Sequence, residues 1–75
     1  MRRFWEDKAM LKKLLGHYVT VYYTIMDIDV DTVEGILESV EDDYIIVRRG
    51  NEKIYINLKV AAIFKVVDHG VHAQR

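Results

Sequence analysis

The residues best suited to chemistry in this 75-residue chain are its cations. Lys8, Lys12 and Lys13, with Arg2 and Arg3 before them, form one group, and the adjacent Arg48 and Arg49 form another. Groups of this kind contact phosphates with little sequence preference and with an affinity that falls as salt rises. A solvated helix face accounts for the lysines equally well. Charge is also segregated along the chain. It is mostly basic before Asp27, wholly acidic from Asp27 to Asp43, and mostly basic after Tyr44. Such blocks give a folded domain an acidic rim and a basic face, or serve solubility alone. The net charge of −1 carries no global bias toward nucleic acid.

Other chemistries fit less well. Asp27, Asp29, Asp31 and Glu38 match the first, third, fifth and twelfth positions of a calcium loop. The sixth position of that loop demands glycine and here is Thr32, while Ile28 and Val30 are too apolar, so a solvated hairpin is expected. Glu41, Asp42 and Asp43 are adjacent carboxylates in a turn, with no apolar pocket to raise one pKa for acid–base work. His17 stands beside a helix end, as a structural residue; His69 and His72 stand in a polar segment, with no metal expected. The absence of cysteine excludes disulfides and thiolate metal sites. No glycine-rich phosphate loop and no nucleophile–base set is present, so neither enzymatic activity nor a cofactor is expected.

These residues must be positioned by short elements. Phe4, Leu11, Leu14 and Leu15 form one stripe at helical spacing over residues 4–15, with the lysines and Trp5 off it and Gly16 at the C-cap. Period-two alternation then predicts five strands at 18–26, 32–40, 44–49, 53–58 and 62–67, with turns at 27–31, 41–43, Gly50-Asn51 and 59–61. Gly35 lies inside the second strand, where glycine marks a bend, a bulge or a close backbone approach. The pattern predicts one domain over residues 1–68, an all-β, strongly bent five-stranded antiparallel barrel with an N-terminal helix as a lid, and a flexible tail at 69–75. A 51% apolar composition with five tyrosines, in a chain too short to bury a large core, favours partner subunits. No apolar run approaches the ~18 residues of a membrane span. No signal peptide is visible, so a cytoplasmic location is expected.

The segment Gly35-Ile-Leu-Glu-Ser-Val-Glu41 resembles the first motif of the Sm/LSm/Hfq superfamily, and Ile54-Tyr-Ile-Asn-Leu-Lys-Val-Ala-Ala-Ile63 resembles the second. Val40-Glu41 stands where the family has Phe-Asp. The resemblance spans roughly Phe4 to Val67 and implies an SH3-like, Sm-like barrel. It further implies a homo-oligomeric ring of five to seven subunits, closed by strand four of one copy pairing with strand five of the next, and single-stranded RNA bound around the pore. By position in those motifs, Asn57 and Lys59 are the expected pore-side contacts. Tyr44 is the expected base-stacking aromatic, since Asp43 occupies the usual aromatic position. Ile45 and Ile56-Asn57 replace the asparagine and Arg-Gly of the eukaryotic and archaeal type, and Ile56-Asn57-Leu58 replaces the Tyr-Lys-His of the bacterial type. The expected function is RNA binding of an RNA-chaperone kind. The alternative is an SH3-like protein-interaction or assembly module that presents the acidic 27–43 face.

Overall fold

Apolar alternation and turn chemistry produce a helix and five strands in the computed structural model, which describes residues 8–71. The order is α1 (Ala9–Lys12), β1 (His17–Ile25), β2 (Asp29–Val40), β3 (Tyr44–Arg49), β4 (Glu52–Asn57) and β5 (Ala61–Val71). All four ladders are antiparallel, and the sheet order is β4-β3-β2-β1-β5. The all-β, strongly bent five-stranded architecture with an N-terminal helix therefore agrees with the expectation from sequence. Within one chain the sheet curls without closing. Among the described residues β4 is paired only with β3, and β5 only with β1. Among the described residues no helix is long and apolar enough to cross a membrane.

One face of each strand builds the core. Val19 and Val21 of β1, Val33, Leu37 and Val40 of β2, Ile45 and Val47 of β3, Ile56 of β4, and Ala61 and Ile63 of β5 are buried together. Each of these buried Val, Leu and Ile side chains stabilises the fold by about 1.5–3 kcal/mol relative to exposure. Helix α1 adds Leu11, fully buried, and the turn after it adds the half-buried Leu14. The helix is shorter than its apolar stripe suggests. Residues 13–16 form turns, and the Gly16 N–H donates to the Leu37 carbonyl (2.8 Å) rather than continuing the helix. Gly16 itself has φ 87°, the left-handed conformation that glycine tolerates. Residues 4–7, with Phe4 and Trp5, lie outside the described residues.

The bend sits in β2. Its first part, Asp29 to Ile36, pairs with β1, and its last part, Ile36 to Val40, pairs with β3. Gly35 stands at this exchange. A β-carbon there would lie 2.9 Å from Val47 Cγ1, 3.0 Å from the Arg48 carbonyl carbon and closer still to the carbonyl oxygen. The requirement is for space, not for an unusual φ. A bulge between Leu37 and Ser39 then shifts the alternation, so that Val40 enters the core in place of Ser39.

Two strand boundaries differ from the sequence pattern by more than one residue. β2 begins at Asp29, because the β1–β2 turn is confined to Met26, Asp27 and Ile28. β5 runs to Val71, so Asp68, His69, Gly70 and Val71 are strand residues and not part of a polar tail. Residues 72–75, with His72, lie outside the described residues. The crowding at Gly35 yields a direct expectation. Gly35→Ala lowers stability by about 1–3 kcal/mol through overpacking against β3, read as a lower urea midpoint; an unchanged midpoint contradicts the close approach.

Candidate functional site

The expected pore-side residues come together at one rim of the sheet. The Glu41 N–H donates to the Tyr44 carbonyl (2.8 Å), closing the β2–β3 turn, and the Leu58 N–H donates to the Asp43 carbonyl (2.7 Å), tying that turn to the end of β4. Tyr44 and Asn57 are opposite one another in the β3–β4 ladder. The Asn57 side-chain oxygen accepts the Lys59 N–H (2.8 Å), which shapes the β4–β5 turn. Tyr55, a diagonal neighbour of Tyr44, tilts its ring toward it at a centroid distance of 5.9 Å. Tyr44 is 36% exposed and Tyr55 62%, so this pair offers aromatic surface to solvent. In the sequence Tyr55 shows only as one residue of the fourth strand. Its place in the rim follows from the β3–β4 register, which the two-residue Gly50-Asn51 turn fixes. Lys59 Nζ lies 4.0 Å from Asp43 Oδ2, so the acidic turn partly offsets the rim's cation.

The other expected cations lie elsewhere. Tyr44 opens β3 and Arg49 ends it, which separates the rim from the arginines by about 17 Å of strand. Arg48 Nε is 3.4 Å and Lys53 Nζ 3.6 Å from the two oxygens of Glu38, while Arg49 Nη2 meets Glu52 Oε1 at 3.0 Å. These exposed pairs add at most ~1 kcal/mol each to stability. They do lower the net positive charge of the expected lateral patch. Lys12 and Lys13 are exposed on and just after α1, with no ion pair to a described residue. Lys8 is half-buried at the helix start, with φ 63°. The candidate residues thus divide into a rim, a β3–β4 hairpin end and a helix.

A polar cluster that the sequence did not suggest lies where β5 runs past β1. His17 Nδ1 is 2.9 Å from Asp68 Oδ1, and that same oxygen accepts the Gly70 N–H at 2.8 Å. Thr20 Oγ1 and His69 Nε2 are 2.8 Å apart, Glu34 Oε2 is 3.9 Å from that nitrogen, and the Tyr18 and His69 rings are 5.6 Å apart. A hydroxyl beside an imidazole invites comparison with nucleophile and base. An orienting carboxylate must, however, hold the other ring nitrogen. Glu34 stands on the same Nε2 that faces Thr20, and Asp68 is engaged by His17. No group of three or more metal-ligating side chains occurs among the described residues. The calcium-like spacing is likewise undone by the fold. Asp31 and Glu38 both lie in β2, about 23 Å apart along an extended strand.

Two groups among the described residues have displaced pKa values. The His17 hydrogen bond, followed by the Gly70 N–H, holds the Asp68 carboxyl below its usual range. Burial, followed by the charge and hydrogen bond of Asp31, pushes the Tyr23 hydroxyl up. Comparison with family models, with characterised proteins and with solved structures finds no match.

A depressed carboxylate stabilises the fold wherever it is ionised. The Asp68 contribution is complete above the ordinary carboxylate value of ~3.9 and is lost as pH falls through the lower folded value. Urea midpoints of the native protein and of Asp68→Asn therefore differ at pH 5 and converge in stronger acid; a gap that widens below pH 5 contradicts this assignment.

Proposed function

We propose that this chain is a cytoplasmic Sm-like ring protein that binds single-stranded RNA at the Tyr44 rim. The observation that carries the proposal is that both terminal strands of a strongly bent sheet keep one unpaired edge. Unpaired edges recruit further strands. When the edge of β4 meets the edge of β5 on another copy, the contact is heterologous, and it closes into a ring if the rotation between copies permits. An apolar groove of about 220 Å³, lined by Tyr23, Ile25, Ile54, Ile56 and Val60, lies along the unclosed seam and gains from being covered. In such a ring each copy contributes one tyrosine pair with Asn57 and Lys59. Aromatic faces stack bases, amides and hydroxyls read base edges, and several weak copies reinforce one another. The role is binding rather than catalysis.

A second function, that of a protein-interaction module, is favoured by the pairing of cations. Arg48, Arg49, Lys53 and Lys59 each face a carboxylate, while Asp27, Asp29 and Asp42 have no ion pair with a described residue. That balance suits a basic protein surface better than phosphate.

Light scattering at micromolar concentration is expected to give a mass of five to seven times 8.8 kDa; a monomer rejects the ring. Fluorescence anisotropy with oligo-U is expected to show binding that weakens with salt. Tyr44→Ala and Tyr55→Ala each reduce it by about 1–3 kcal/mol per stacked base, and Asp43→Ala tightens it. No binding at low salt assigns the chain to the interaction-module class.

A further inference from the structure

The tip of the β1–β2 hairpin is an exposed apolar feature that the proposed ring leaves unused. Ile28 is 79% exposed, Met26 71% and Val30 63%, and they alternate with Asp27, Asp29 and Asp31. The tip is held in one shape. The Ile28 N–H donates to the Ile25 carbonyl (3.1 Å) and the Met26 N–H to the Val60 carbonyl (3.0 Å). Met26 and Asp27 have φ of 55° and 60°, a left-handed turn in which glycine or asparagine is favoured. A long apolar side chain thus stands, against backbone preference, at a mostly exposed position. Asp27 and Asp29 have no ion pair with a described residue.

The complementary chemistry is present elsewhere on the same chain. Lys12 and Lys13 are exposed without an ion pair to a described residue, and beside them Leu15 is 43% exposed. The segment carrying them leads into His17, the first residue of β1, whereas the tip follows Ile25, the last. Nine residues of strand, about 27 Å, separate the two, in a molecule 41 Å long. The arm therefore cannot reach its own helix. We infer that the β1–β2 hairpin is a docking arm that seats on the α1 end, around Lys12, Lys13 and Leu15, of a second copy of this chain. The aliphatic side chains supply buried area and the aspartates orient the contact against the lysines. Asp27 and Asp29 repel RNA and anionic lipid from the arm. The contact uses neither β4 nor β5, so it stands apart from the proposed ring and joins rings or single chains head to tail.

The test is sedimentation velocity over a concentration series, at low and high salt, with charge-swapped variants. The native protein is expected to associate beyond the species present at high dilution, and salt weakens that step. Asp27→Lys with Asp29→Lys, and separately Lys12→Asp with Lys13→Asp, each weaken it about tenfold. An equimolar mixture of the two double variants recovers association, because each supplies the charge that the other lacks. Met26→Gly is expected to raise the urea midpoint while weakening association, a combination that a merely structural tip residue does not give. Four results overturn the inference: no association beyond the dilute species, native-like association of either charge-swapped variant, no recovery on mixing, or binding of a basic peptide at the arm without self-association. The species at high dilution reports the ring separately, so failure of the ring and failure of the arm are distinguishable.

Discussion

The Arg48 carbonyl lies where a β-carbon of residue 35 would stand, and Val47 crowds the same space. Only glycine lets β3 fold this closely over β2. The sheet bends there, β2 exchanges β1 for β3 as its partner, and the inner faces of both halves meet over Val19, Val21, Leu37, Ile45 and Val47. In a chain of 75 residues this curl compensates for length, since it lets a single sheet serve as both walls of its own core. It also fixes where the sheet ends. β4 and β5 are brought to the two margins of an open seam, each with one satisfied and one unsatisfied edge.

The same bend organises the surface. It carries the β2–β3 turn to the end of β4, where the Asp43 carbonyl captures the Leu58 amide and the tyrosine rim forms. It sends the arginines to the opposite end of β3, among carboxylates. The sequence-level division between acidic and basic blocks therefore does not survive as two clean faces. Glu38 gathers Arg48 and Lys53, and Asp43 approaches Lys59. Among the described residues, Asp27 and Asp29 of the hairpin at one end of β1, Lys12 and Lys13 at the other, and Asp42 have no ion pair.

The strands were legible because their alternation is strong. Tyr44 to Arg49 is a strand in both pattern and fold, with Ile45 and Val47 on the buried face. The glycine in β2 was legible as a bend because it interrupts that alternation. Three features were not legible, each for a nonlocal reason. Asp68, His69 and Gly70 lack strand propensity, and they extend β5 because His17 and Thr20 on β1 hold them. The helix stripe overran its helix because the Gly16 amide is taken by the Leu37 carbonyl. The bulge after Leu37 exchanges Ser39 for Val40 in the core, a shift set by pairing with β3 and not by β2 itself. The motif-based choice of Tyr44, Asn57 and Lys59 gathers at one rim, whereas Lys12, Lys13, Arg48 and Arg49 do not join it.

The central claim is that the open seam between β4 and β5 is completed between copies. Amide hydrogen exchange across Glu52–Asn57 and Ala61–Val71 tests it most directly. Within one chain, the amides of these strands that point away from β3 and β1 have no ladder partner and exchange quickly. Pairing between copies predicts slow exchange of those amides in the assembled protein. Fast exchange at every concentration, with the remaining amides of the same strands protected, contradicts the claim.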